Sequence, residues 1–174
     1  MKNNMIEANN VSVRFGCKNY NGDELEVDVA LAMLNSNNKV SDIEDFIFYR
    51  NISHLTGCIE IDRDFIPKYN FNSVEYDSVK IDFRLIPENV MKVVLIVSVH
   101  SGRDRGQTLE IMGSSFVQIL DSNDNEINRY DFSPIGDNVS MIVGELSKEK
   151  DNWFFNDRED SFEDELFEVL EKFI

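Results

Sequence analysis

Leu25-Glu26-Val27-Asp28-Val29-Ala30-Leu31-Ala32-Met33-Leu34 is the stretch from which the fold can be read. Leu25, Val27, Val29, Leu31 and Met33 alternate with Glu26, Asp28, Ala30 and Ala32, and Glu24 extends the second series backwards. A period of two marks a strand, whose successive side chains point to opposite faces. One face is apolar; the other begins acidic and turns small. Asn35-Ser36-Asn37-Asn38 then reverses the chain with residues that form turns through their own side chains.

The same reading extends in both directions. Phe46 to Tyr49 and Cys58 to Ile61 read as further strands, and Val79 to Ile86 alternates again through Val79, Ile81, Phe83 and Leu85. Lys92 to His100 is apolar nearly throughout, which predicts a central strand covered on both faces. Ser115 to Leu120 and Glu126 to Phe132 flank the turn residues Asp121 to Asn125, and Val139 to Leu146 and Trp153 to Phe155 flank Ser147 to Asn152. Phe162, Leu166, Val169, Leu170 and Phe173 then change to helical spacing, with Ser161 as the expected N-cap. The expectation is an all-β protein: a two-sheet, mostly antiparallel β-sandwich with one short C-terminal amphipathic helix packed on it. Residues 1–10 form a polar lead, 11–155 the sandwich domain and 156–174 the helical segment of the same domain.

Composition narrows the function. Among 174 residues, 17 Lys and Arg face 33 Asp and Glu, for a formal net charge of −16. Such a chain repels phosphate backbones and anionic lipid surfaces, so neither nucleic acid nor a membrane surface is an expected partner. The apolar run from Val93 to Val99 is far short of the roughly 20 residues of a transmembrane helix, and Met1 to Asn10 lacks the apolar core of a secretion signal. A cytoplasmic protein is expected. Cys17 and Cys58 match neither a disulfide framework nor a zinc spacing and read as small core residues. No Gly-x-Ser-x-Gly elbow, phosphate-binding loop or dinucleotide fingerprint occurs, and His54 and His100 stand alone in the sequence. Arg103-Asp104-Arg105 reads as a solvated loop.

Carboxylates are the informative side chains. Glu24, Glu26 and Asp28 fall on one strand face, about 6.5–7 Å apart at roughly 3.3 Å rise per residue. Like charges at that spacing repel unless a cation neutralises them. Glu60, Asp62, Asp64, Glu75 and Asp77 form a second acidic region. Ca2+ takes six to eight oxygens, usually from several segments, so these acids are candidate ligands.

Asp45-Phe46-Ile47-Phe48-Tyr49-Arg50-Asn51 resembles the Asp-Phe-Val-Phe-Tyr-Asn-Asn signature of the TerD family of tellurium-resistance and stress-response proteins. The resemblance continues in family order through Ile81 to Pro87, Val93 to His100, Arg105-Gly106-Gln107, Phe116 to Ile119, Asn128 to Phe132, Met141 to Leu146 and Trp153 to Phe155. It implies a two-sheet sandwich without catalytic activity, a stress-response function, partners among other stress-operon proteins, and calcium held by acidic loops. Carried onto this sequence, the implied ligands are Glu24, Glu26, Asp28, Asp64, Glu75 and Asp77. The chain departs from the family here: Val29 and Ala30 follow Asp28, and Ile66 to Val74 replaces a glycine-rich stretch. Loss of those glycines makes an ion harder to wrap, so the affinity expected is roughly 10⁻⁵ M or poorer. The leading expectation is a non-enzymatic calcium-binding stress-response protein acting through protein assembly. A metal-free scaffold or adaptor that kept the fold is the alternative. An enzyme using paired carboxylates such as Glu24 and Glu26 is a third, with no other feature pointing to it.

Overall fold

The computed structural model describes residues 4–21 and 24–174. The strands are β1 (Met5–Ile6), β2 (Asn10–Cys17), β3 (Val27–Leu34), β4 (Phe46–Ile47), β5 (Ile59–Ile61), β6 (Lys68–Tyr69), β7 (Val74–Asp82) and β8 (Lys92–Val99). A short helix, α1 (Gly102–Arg105), precedes β9 (Ser115–Leu120), β10 (Glu126–Phe132), β11 (Ser140–Glu149) and β12 (Asn152–Phe162), and α2 (Leu166–Glu171) follows. One sheet runs β1-β12-β11-β8-β3-β4; the other runs β10-β9-β2-β7-β5, with β6 pairing β7. The strand pairs are antiparallel. The fold is the expected β-sandwich with a C-terminal helix.

The alternation along β3 does what its pattern requires. Val29, Leu31 and Met33 enter the core between the sheets with Val93, Leu95 and Val97 of the neighbouring β8. The other face is buried too. Ala30, Ala32 and Leu34 join Val94, Ile96 and Ile142 beneath Leu166, Val169 and Leu170 of α2. Small alanines leave room for a helix to lie on the sheet. This second cluster also explains why β8 is apolar on both faces. Leu25, Phe116, Ile119 and Trp153 are buried as the pattern implies, and both cysteines are buried and free. Burial pushes the Cys17 thiol up to about 12.

Several expected boundaries differ. Glu24 and Glu26 precede β3, so Asp28 alone of the first acidic trio lies in the strand. The alternating stretch Val79 to Ile86 is broken where the Asp82 carboxylate accepts the Arg84 N–H at 3.0 Å and caps a 3-10 turn over Phe83–Leu85. Phe83 is therefore only partly buried, its ring 5.4 Å from that of Trp153, and Leu85 is exposed. The last strand continues past Phe155 to Phe162, so Ser161 is paired to Met141 in the sheet and is not a helix cap. Phe162 packs against the same apolar cluster as α2, from the end of a strand. A strand residue and a helix sharing one patch had combined into a helical spacing. The N-cap is Glu165, in an extended conformation. The Arg103-Asp104-Arg105 stretch is helical, and its arginines are engaged, as described next.

Candidate functional site

The family-like motifs turn out to be fasteners. Asp45 is buried: its Oδ2 accepts the N–H groups of Ser41 and Asp42, each at 3.1 Å. Its Oδ1 lies 3.3 Å from Nε2 of His54, which is buried as well. The Thr56 N–H donates to His54 Nδ1 at 3.2 Å, so Nε2 carries the proton and donates to Asp45. Asn51 closes the turn after β4, its side chain donating to the Phe46 carbonyl at 2.7 Å. Phe48 and Tyr49 meet Phe167 of α2 edge-on, and the Arg50 guanidinium lies over the Phe167 ring at 5.2 Å. Arg105 and Gln107 both donate to the backbone carbonyl of Glu24, tying the approach to β3 onto the loop after β8. Arg103 pairs with Glu165 and Glu168 and so holds α2 to the sandwich.

The six candidate ligands take separate positions. Asp28 lies on the α2 side of its sheet, in register with Ser98, and its Oδ2 accepts Nδ1–H of His100 at 2.7 Å. Asp28, Tyr49, His100, Arg103, Glu165 and Phe167 line a cavity of about 240 Å³. Burial raises the Asp28 pKa, the charges of Glu26 and Glu165 add to this, and His100 opposes it. Glu26 is held by its backbone, the carbonyl accepting the His100 N–H at 2.9 Å. Asp77 lies opposite Phe15, on the inner side of the other sheet. Burial pushes its carboxyl up to about 6, with Asp28 and Asp62 adding like charge and the Ser78 N–H counteracting.

Glu75 and Asp64 are elsewhere. A bulge interrupts the β2–β7 register between Phe15 and Gly16, which places Glu75 on the outer face, 3.8 Å from Arg14. Asp64 is exposed in the turn after β5 and lines an open groove with Arg14, Phe65 and Lys68. The charge of Glu26 thus reaches Asp28 and that of Asp28 reaches Asp77, while Glu75 and Asp64 lie apart. Among the described residues, no three His, Cys, Asp or Glu side chains meet closely enough to hold a metal ion. The described arrangement does not fit a calcium site built from these six carboxylates. Asp28 is engaged by the His100 ring N–H, and Glu75 faces the Arg14 guanidinium. The histidines do not stand alone: each faces a carboxylate, and His100 is 72 residues from Asp28 in sequence. Linear spacing carries no signal for such a pair; only the motif position of His100, at the end of an apolar strand, singled it out.

The sequence matches the family described as TerD domain over residues 1–173. It is 28% identical over 147 residues to "Tellurium resistance protein TerD" of Serratia marcescens, covering 83% of this chain and 76% of that one. It is 24% identical over 137 residues to "General stress protein 16U" of Bacillus subtilis (strain 168), covering 78% of this chain and 70% of that one. The crystal structure of a homologue of telluride resistance protein (TerD) from Streptomyces coelicolor A3(2) superimposes with a TM-score of 0.71 at 13% identity, over 94% of this chain and 95% of that one. Among the described residues, no helix is long and apolar enough to cross a membrane.

Proposed function

The chain belongs to the TerD domain family, and from that premise we propose that it is a non-enzymatic stress-response protein of the cytoplasm. In this reading the sandwich is a scaffold or adaptor for other proteins of the same response, and its stability does not depend on bound calcium. Support for the stress role comes from relatives named for tellurium resistance and for general stress. The observation that carries the metal-independent part is the pairing of Asp28 with His100 at 2.7 Å. A built-in donor there supplies what a cation would otherwise supply to that carboxylate. Glu75, another candidate ligand, is turned away by the β2–β7 bulge onto Arg14.

Thermal melts in chelator, 1 mM calcium and 1 mM magnesium test the reading. For a site with a dissociation constant of about 10⁻⁵ M, 1 mM calcium is about 100 times that constant, and linkage would stabilise the fold by about 2.7 kcal/mol. For a domain of this size that is a shift of roughly 5–10 °C. A shift below about 1 °C is expected. A calcium shift of about 5 °C or more, diminished by Asp28→Asn and Asp77→Asn, would instead establish the calcium-binding alternative.

A further inference from the structure

The cavity of about 240 Å³ beside α2 is built around one carboxylate–imidazole pair. The His100 ring gives its Nδ1–H to Asp28 Oδ2 at 2.7 Å, so in the neutral ring Nε2 is a bare acceptor. Among the described residues, neither that Nε2 nor Asp28 Oδ1 has a hydrogen-bond partner. A neutral imidazole leaves the Asp28 charge uncancelled, and burial still raises this carboxyl in spite of His100.

The cationic side chain in the same lining is spent elsewhere. The Arg103 guanidinium is held by Glu165 and Glu168, and its backbone N–H donates to Glu165 Oε1 at 3.0 Å. Three carboxylates, Asp28, Asp104 and Glu165, line the cavity against that one guanidinium. The charge of Glu26 reaches Asp28 as well. Aromatic rings form another wall: Tyr49 lies 5.7 Å from the His100 ring and 6.3 Å from that of Phe167, edge to face in each case. Arg50, which is not among the lining residues, lies over both the Tyr49 and Phe167 rings, at 5.8 and 5.2 Å. This wall therefore already holds one cation on its rings.

We propose that this cavity binds a small primary amine in its ammonium form, which donates to Asp28 Oδ1 and His100 Nε2 and lays its alkyl chain against Tyr49 and Phe167. An ammonium is all donor and no acceptor, and it imposes no fixed ligand geometry, which suits a site whose free groups are acceptors. A metal ion asks for more: several ligands converging on one point, and among the described residues no three His, Cys, Asp or Glu side chains do so. An anion would meet three carboxylates, with the one guanidinium of the lining already paired. At roughly 30 Å³ per water, the cavity has the space of about eight waters, enough for an amine of about four to six carbons. So small a ligand should bind with a dissociation constant on the order of 10⁻³ M.

Titration of the full chain with n-butylammonium chloride at constant ionic strength, followed by heteronuclear NMR, tests the site. Saturable shifts are expected at the His100 Nε2 resonance and at the amides of His100 and Phe167, with the Nδ1–H retained. n-Butanol, of similar shape without the charge, should bind at least tenfold more weakly. Asp28→Asn should weaken butylammonium at least tenfold, its fold being checked by circular dichroism. The Nε2 shift is read on the unaltered chain and so decides the matter even if that variant fails to fold. Nα-acetyl-lysine methylamide separates the sources: comparable binding supports the ammonium site as one that also takes a lysine side chain, and exclusion supports it as a site for free amines. No saturable shift up to about 50 mM, an unmoved Nε2, equal binding of butanol, or a folded Asp28→Asn chain that binds as before overturns the proposal. Amine binding stands apart from the stress-response reading: the melts test one and the titration the other.

Discussion

Asp45→Ala should be among the most damaging single changes in this protein, although Asp45 touches no candidate ligand. Its carboxylate accepts two backbone N–H groups at 3.1 Å and the buried His54 Nε2–H at 3.3 Å. Side-chain capping of backbone donors of this kind is worth about 0.5–2 kcal/mol. Leaving the histidine N–H buried without an acceptor costs about 1–3 kcal/mol more. The two losses belong to one network and are not fully additive, so a total of about 2–4 kcal/mol is expected. That corresponds to a melting point lower by roughly 5–15 °C for a domain of this size. Urea denaturation would show a lower midpoint at unchanged slope. Asp45→Asn keeps an acceptor for His54 but turns an amide toward the N–H groups of Ser41 and Asp42, and should fall between wild type and alanine. A double-mutant cycle with His54→Gln should show a coupling of at least about 1 kcal/mol. A cost below about 0.5 kcal/mol for Asp45→Ala, or strict additivity with His54→Gln, would refute the knot as a source of stability.

Further outcomes follow from the same geometry. Leu170→Ala opens a cavity beneath α2 and should cost about 2–4 kcal/mol by urea denaturation, whereas Phe167→Ala, at a half-exposed ring, should cost under about 1 kcal/mol. The Asp77 carboxyl sits at about 6 in the fold against an ordinary 3.8, so the folded state holds the proton more tightly than the unfolded chain. Its contribution is fully present below about pH 4 and is lost as pH rises through 6, a swing of up to about 3 kcal/mol. Asp77→Asn should therefore stabilise the protein at pH 7 and have little effect at pH 4, as pH-dependent melts would read. Cys17 and Cys58 are buried, and burial raises both thiols, so a thiol reagent should label neither until denaturant is added. Rapid labelling in the native state would contradict their burial.

What the sequence by itself determined is what depends on neighbours along the chain. The alternation from Leu25 to Met33 sets a strand with one greasy face, and the turn residues Asp121 to Asn125 join β9 and β10 at the expected bounds, Ser115–Leu120 and Glu126–Phe132. Period and turn chemistry are local, so they survive being read one residue at a time. The ordered motifs likewise carried the family resemblance. Residues that meet through the fold were beyond that reading. Helical spacing placed Phe162 in α2, but pairing with Ser140 keeps it in β12. Two acidic segments looked like one ligand set, yet strand alternation directs Asp28 toward the α2 side, and a one-residue bulge separates Glu75 from Asp77. Each acid meets whatever the opposite element supplies: His100 for Asp28, Arg14 for Glu75, His54 for Asp45. Tertiary structure alone decides such pairs, because a side chain's direction depends on register and its partner on which strands become neighbours.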